Sequence, residues 1–145
     1  MQARDSVVVA RPQTAVFEYM DVPENQARIS PRLSSVETTG VRDDGAKLAT
    51  YTYRLLGRSF DGTVRGIEHE PPTTIAFELT GDIEGHIRWE FEPVEHGTRV
   101  TYAATYHLGL PSALTWLLGP LVDWFNQREI ERTLENLRQA VEEPS

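Results

Sequence analysis

Residues 75–107 read IAFELTGDIEGHIRWEFEPVEHGTRVTYAATYH. Ile75, Phe77 and Leu79 alternate there with Ala76 and Glu78, and Ile87, Trp89 and Phe91 alternate with His86, Arg88, Glu90 and Glu92. Val100, Tyr102, Ala104 and Tyr106 do the same with Thr101, Ala103 and Thr105. Successive side chains of a strand point to opposite faces, so this period of two describes a sheet buried on one side and wetted on the other. Thr80-Gly81-Asp82 and Glu95-His96-Gly97 supply the turns. A sheet with one apolar face needs a cover, and the rest of the chain has to provide it.

Toward the N-terminus the strand-and-turn pattern extends back to residue 33. Asp43-Asp44-Gly45 sits between two extended runs as a hairpin turn does, and Leu56-Gly57-Arg58 and Glu70-Pro71-Pro72 punctuate the next pair. Residues 6–10 form a short β-branched run, the expected first strand. Pro12 suits a first helical position, where its missing N–H costs nothing, and Val16, Phe17 and Met20 follow at helical spacing. Asp21-Val22-Pro23 ends that helix. Pro23 opens a second short one through Ala27, which Pro31 stops.

Toward the C-terminus, Ser112 is a good N-cap for a helix running almost to the chain end. Gly119-Pro120 predicts a kink or break, with Pro120 restarting the helix. Beyond it Val122, Ile130, Thr133, Leu134, Leu137 and Val141 share a face, and residues 142–145 are expected to fray. The order predicts an α+β fold: a curved antiparallel sheet of about seven strands around a long C-terminal helix, with two short helices after strand one. Without repeats or linkers, residues 1–145 are expected to form a single domain.

Composition narrows the function. The 145 residues carry a formal charge of -8, which makes nucleic acid a poor partner because binding it relies on Lys and Arg against phosphates. Only one of the basic side chains, Lys47, is a lysine. An anionic membrane surface is disfavoured on the same grounds, and no run reaches the roughly 18 apolar residues of a membrane span. Residues 1–12 lack a signal-peptide core, so a cytoplasmic location is the default expectation. The absence of cysteine removes thiol nucleophiles, disulfides and thiolate metal sites. No phosphate-binding glycine loop, nucleophile elbow or metal-spaced histidine pair occurs, so no cofactor or metal is expected.

Several side chains are candidates for lining a cavity beneath the helix. Asn126 falls between Val122 and Ile130 on the helix stripe facing the sheet. A buried amide without a partner costs about 1–3 kcal/mol, so Asn126 must bond to backbone, water or a ligand. Trp89, Tyr102 and Tyr106 lie on inward phases, as do Phe77 and Phe91. Phe125 is the aromatic candidate on the helix, and Tyr51 and Tyr53 read as ordinary core. If Thr50 and Thr52 face inward, Arg54 stands at the cavity wall and favours an anionic ligand; the opposite phase leaves it solvated. His86 falls on an outward phase and His96 in a turn, while His69 and His107 lie near strand ends. Glu90 and Glu92 read as solvating charge. The apolar segment 108–125, with Trp116 and Trp124, offers a gate over the cavity hinged at Gly119-Pro120 or a surface for self-association as a homodimer.

Val8-Val9-Ala10-Arg11-Pro12 with Val16-Phe17-Glu18-Tyr19, then Asp21-Val22-Pro23-Glu24-Asn25, occur in order along the chain. Leu56-Gly57-Arg58, Glu70-Pro71-Pro72 with Ile75-Ala76-Phe77, and Phe91-Glu92-Pro93-Val94 with Gly97-Thr98-Arg99-Val100-Thr101 follow at matching intervals. Together these segments resemble the helix-grip fold of the START-like superfamily, in its polyketide cyclase/dehydrase and lipid-transport branch. One departure is Ile29, where many members carry a tryptophan just before the Ser30-Pro31 step; the resemblance makes this a cavity-wall position. The resemblance implies a hydrophobic cavity between sheet and last helix, and with it binding or transport of a lipid-, quinone- or polyketide-like small molecule. A cyclase- or dehydratase-type enzyme acting on such a ligand, and an interaction module with a filled core, are the alternatives, because fold alone does not give function.

Overall fold

The computed structural model describes the backbone of residues 2–55, 57–108 and 112–142, and the side chains of these except Leu108 and 112–126. In chain order the elements are β1 (Gln2–Val9), α1 (Gln13–Met20), α2 (Pro23–Ile29), β2 (Leu33–Val41), β3 (Lys47–Leu55), β4 (Arg58–Glu70), β5 (Thr74–Gly81), β6 (Ile83–Val94), β7 (Gly97–Leu108) and α3 (Ser112–Glu142). The strands form one sheet in the order β1-β7-β6-β5-β4-β3-β2. Every neighbouring pair is antiparallel. This is the expected helix-grip arrangement.

Two boundaries differ from the sequence reading. β1 begins at Gln2, because its polar first half finds a partner in β7, with Gln2 opposite Thr105 and Val9 opposite Thr98. A period-two signal is missing there, so pairing and not local pattern makes the strand. Helix α3 runs through Gly119-Pro120 as one element, so no break occurs at that step. Pro12 caps α1 from just outside, and Pro23 occupies the first turn of α2.

The turns form as the glycines dictate. Gly45 adopts φ +91°, its N–H donates to the Arg42 carbonyl at 2.9 Å, and the Arg42 N–H donates to the Ala46 carbonyl at 2.7 Å. A side chain at Gly45 would also strike His69, whose ring stands 2.8 Å from where a Cβ would be. β4 carries a bulge: Gly66 pairs with Phe77 and Glu68 with Ala76, leaving Ile67 as the extra residue and 45% exposed.

Packing on the sheet is lopsided. α3 lies against β1 and β7, α1 against β6 and β7, and α2 against β2, while among the described residues no helix packs closely on β3, β4 or β5. The main core therefore gathers Val9, Val16, Phe17, Trp89, Phe91, Val100, Leu134 and Leu137 around α1 and α3. A smaller cluster of Tyr51, Phe60 and Ile83 holds the other side. Ile29 is 1% exposed within the main core, and Asn136 Nδ2 donates to its carbonyl at 2.9 Å. It is a packed residue between α2 and α3 and not the cavity-wall position expected of it.

Candidate functional site

Where the helices leave the sheet uncovered there is a cavity of about 360 Å³. That volume falls within the range of small-molecule sites, and a predominantly apolar wall with a few polar groups is their usual composition. Its walls come from β3 to β7, from α2 and the Ser30–Leu33 approach to β2, and from Glu129, Ile130 and Thr133 of α3.

The phase of β3 decides much of the lining. The Tyr51 hydroxyl donates to the Ile83 carbonyl at 3.1 Å and accepts the Ile83 N–H at 3.2 Å. A tyrosine satisfied in this way at the start of β6 commits Tyr51, Tyr53 and Leu55 to the cavity side. Thr50, Thr52 and Arg54 consequently belong to the other face: Thr50 and Arg54 are exposed, and Thr52 Oγ1 donates to Asp61 Oδ1 at 2.6 Å. The expectation of a cationic wall at Arg54 is thus corrected. Phe91 is also withdrawn from the cavity, because it packs edge-on against Phe17 with ring centres 5.5 Å apart, inside the main core.

Phe77, Trp89, Tyr102 and Tyr106 do converge on the cavity. Trp89 and Tyr102 sit opposite each other on β6 and β7 and meet edge to face at 4.5 Å. The indole N–H of Trp89 is buried with no hydrogen-bond partner among the described residues. Val122, Phe125 and Asn126 lie outside the described side chains, as does most of the apolar segment 108–125 read as a gate.

Two polar patches, neither predicted from sequence, stand in this wall. In the first, His69 Nε2 is 2.8 Å from Asp21 Oδ1 and its Nδ1 is 2.9 Å from the Asp44 carbonyl. Lys47 Nζ reaches the same Asp21 oxygen at 3.3 Å and donates to the Gly45 carbonyl at 2.9 Å. The bulge shifts the phase of β4, so that His69, opposite Ile75, follows Val64 and Gly66 to the cavity wall. Glu68 in turn forms an ion pair with Arg88 at 2.6 Å. His86, His96 and His107 are exposed.

The second patch centres on Glu129. Its side chain is 16% exposed, its Oε1 is buried without a hydrogen-bond partner among the described residues, and its Oε2 lies 3.7 Å from Arg32 Nε. Burial raises the Glu129 carboxyl above the ordinary value of 4.5, against the opposing pull of Arg32 and Arg132. Burial likewise raises the phenols of Tyr53 and Tyr102, and the nearby Glu129 charge raises both further. Both hydroxyls therefore stay protonated. The sequence held one signal for this residue: Glu129 stands four positions before Thr133, a member of the inward stripe, and so borders the same face. Thr133 Oγ1 donates to the Glu129 carbonyl at 2.9 Å.

The family described as polyketide cyclase / dehydrase and lipid transport matches residues 1–142. Among solved structures, TTHA0849 from Thermus thermophilus is 22% identical with a TM-score of 0.85, each chain covered to 97%. The Zhui aromatase/cyclase of a Streptomyces species is 15% identical with a TM-score of 0.81, covering 98% of this chain and 93% of its own. A START superfamily protein from Mycobacterium smegmatis is 16% identical with a TM-score of 0.77, each chain covered to 97%. At these identities the likeness is one of fold. No curated protein is similar enough in sequence to count as a relative. Among the described residues, no helix is long and apolar enough to cross a membrane.

Proposed function

Because the chain belongs to the polyketide cyclase / dehydrase and lipid transport family, we propose that it binds a hydrophobic small molecule, lipid-, quinone- or polyketide-like, between sheet and C-terminal helix. The observation that carries this reading is the void of about 360 Å³ walled by Phe77, Trp89, Leu79, Ile87 and the tyrosines of β3 and β7. Interiors normally close-pack, so apolar surface left facing a hollow of this size retains its burial energy for a guest. The same void weighs against an interaction module with a filled core.

The test uses a neutral hydrophobic dye, N-phenylnaphthylamine, and the variant Ala49→Phe. Ala49 is 2% exposed and lies in the wall, so a benzyl group there projects into open space. Wild type should bind the dye with one-to-one stoichiometry, and lipophiles should co-purify in native mass spectrometry. The variant should stay folded and lose at least about tenfold in affinity, since blocking the site removes most of the buried contact. Dye binding that Ala49→Phe leaves untouched would place the ligand elsewhere.

A second reading, cyclisation or dehydration of such a ligand, has Glu129 in its favour. A largely buried carboxyl with a raised proton affinity, sharing the cavity with two protonated phenols, is suited to moving a proton.

A further inference from the structure

We infer that Glu129 makes the cavity selective for neutral ligands that donate a hydrogen bond, phenols and alcohols, over carboxylates of the same shape. The inference rests on the cavity reading above and adds the ligand class.

Hydrogen-bond accounting supports it. Oε1 of Glu129 is buried and has no hydrogen-bond partner among the described residues, and the separation of 3.7 Å between Oε2 and Arg32 Nε is an ion-pair distance. A carboxylate oxygen held in a wall without a donor is an acceptor waiting for one, and a ligand hydroxyl is the group that supplies it. The phenols of Tyr53 and Tyr102 line the same cavity and supply further hydrogen-bonding groups to a polar guest.

An anionic ligand meets the opposite situation, because two like charges brought together in a partly dry site repel strongly. The remaining charged groups do not offset this. Arg32 and Arg132 are already set against Glu129 itself. In the other polar patch, Lys47 and His69 bond to Asp21 and to backbone carbonyls, and Glu68 pairs with Arg88. Arg54, the cation that would have welcomed an anion, lies on the far face of β3.

The experiment is displacement of N-phenylnaphthylamine by 2-naphthol and by 2-naphthoate, matched in rings and different in charge. Measurements at about pH 7.5 keep the first neutral and the second ionised. The naphthol should bind wild type at least about tenfold more tightly than the naphthoate, and Glu129→Gln should lower that ratio at least about threefold, the remainder being the desolvation cost of the carboxylate. Should Glu129→Gln fail to fold, Glu129→Met takes its place in the same comparison. Equal affinities in wild type, a preference for naphthoate, or a ratio unmoved in Glu129→Gln would each overturn the assignment while leaving the cavity reading intact. Failure of both compounds and of the dye to bind would overturn the cavity reading, and this inference with it.

Discussion

The two halves of the sheet put the same kinds of residue to different use. Toward β1 and the paired ends of β6 and β7, apolar side chains meet α1 and α3 and pack closely: Val9, Val16, Val100 and Leu137 are fully buried. On the β5-β4-β3 side no helix closes down among the described residues, and the apolar face ends at a hollow. One half supplies stability and the other capacity. Native proteins have a margin of only about 5–15 kcal/mol, so the hollow half leans on the burial gathered around α1 and α3.

Paired truncations put that division to its severest test. Leu137→Ala should cost about 2–5 kcal/mol, as for a leucine removed from a closed core. Leu79→Ala, the same chemical change at the cavity wall, should cost under about 2 kcal/mol, because part of that side chain already faces empty space. Urea unfolding measures both, and equal losses would erase the distinction between the halves.

A smaller effect is expected at the seam where α2 meets the hollow half. Glu24 accepts from the Thr38 N–H and hydroxyl, both at 2.8 Å, and these bonds lower its carboxyl below 4.5. Glu24→Gln should cost about 1 kcal/mol after allowance for solvent. Its contribution is present above pH 4.5 and disappears as pH falls through the lowered folded value.

The weakest effect, and the most diagnostic, has the opposite sign. Glu129 is raised when folded, so its contribution is complete below the unfolded value of 4.5 and is lost as pH rises through the folded one. Stability should therefore decline slightly over that window in wild type and stay level in Glu129→Gln. Urea midpoints collected across about pH 4 to 8 separate the two carboxyls, and matching slopes would show that the two environments do not differ.

Much of the fold was legible because its signals are local: alternation in β5 to β7, turn glycines, and an apolar stripe on α3. The candidate site was legible only where phase was unambiguous, at Phe77, Trp89, Tyr102 and Tyr106. At β3 the run of alternating tyrosine and threonine fits either face, and a hydrogen bond to Ile83, distant in sequence, chooses between them. The β4 bulge breaks the alternation on which phase assignment depends, and with it hides His69. Glu129 was masked by its charge, since an acidic residue beside a helix stripe usually faces water.

The pairing of β1 with β7 carries a further consequence, for synthesis. The first strand leaves the ribosome with its partner, residues 98–105, still unmade. Its edge waits unpaired until nearly the whole sheet exists, and the Ala10 N–H reaches Glu142 Oε2 only when the last helix arrives. Vectorial translation thus delays the closing step of assembly until β7 and α3 have been made. Nascent chains stalled before β7 should be cut within residues 2–9 by protease, whereas completed chains should resist.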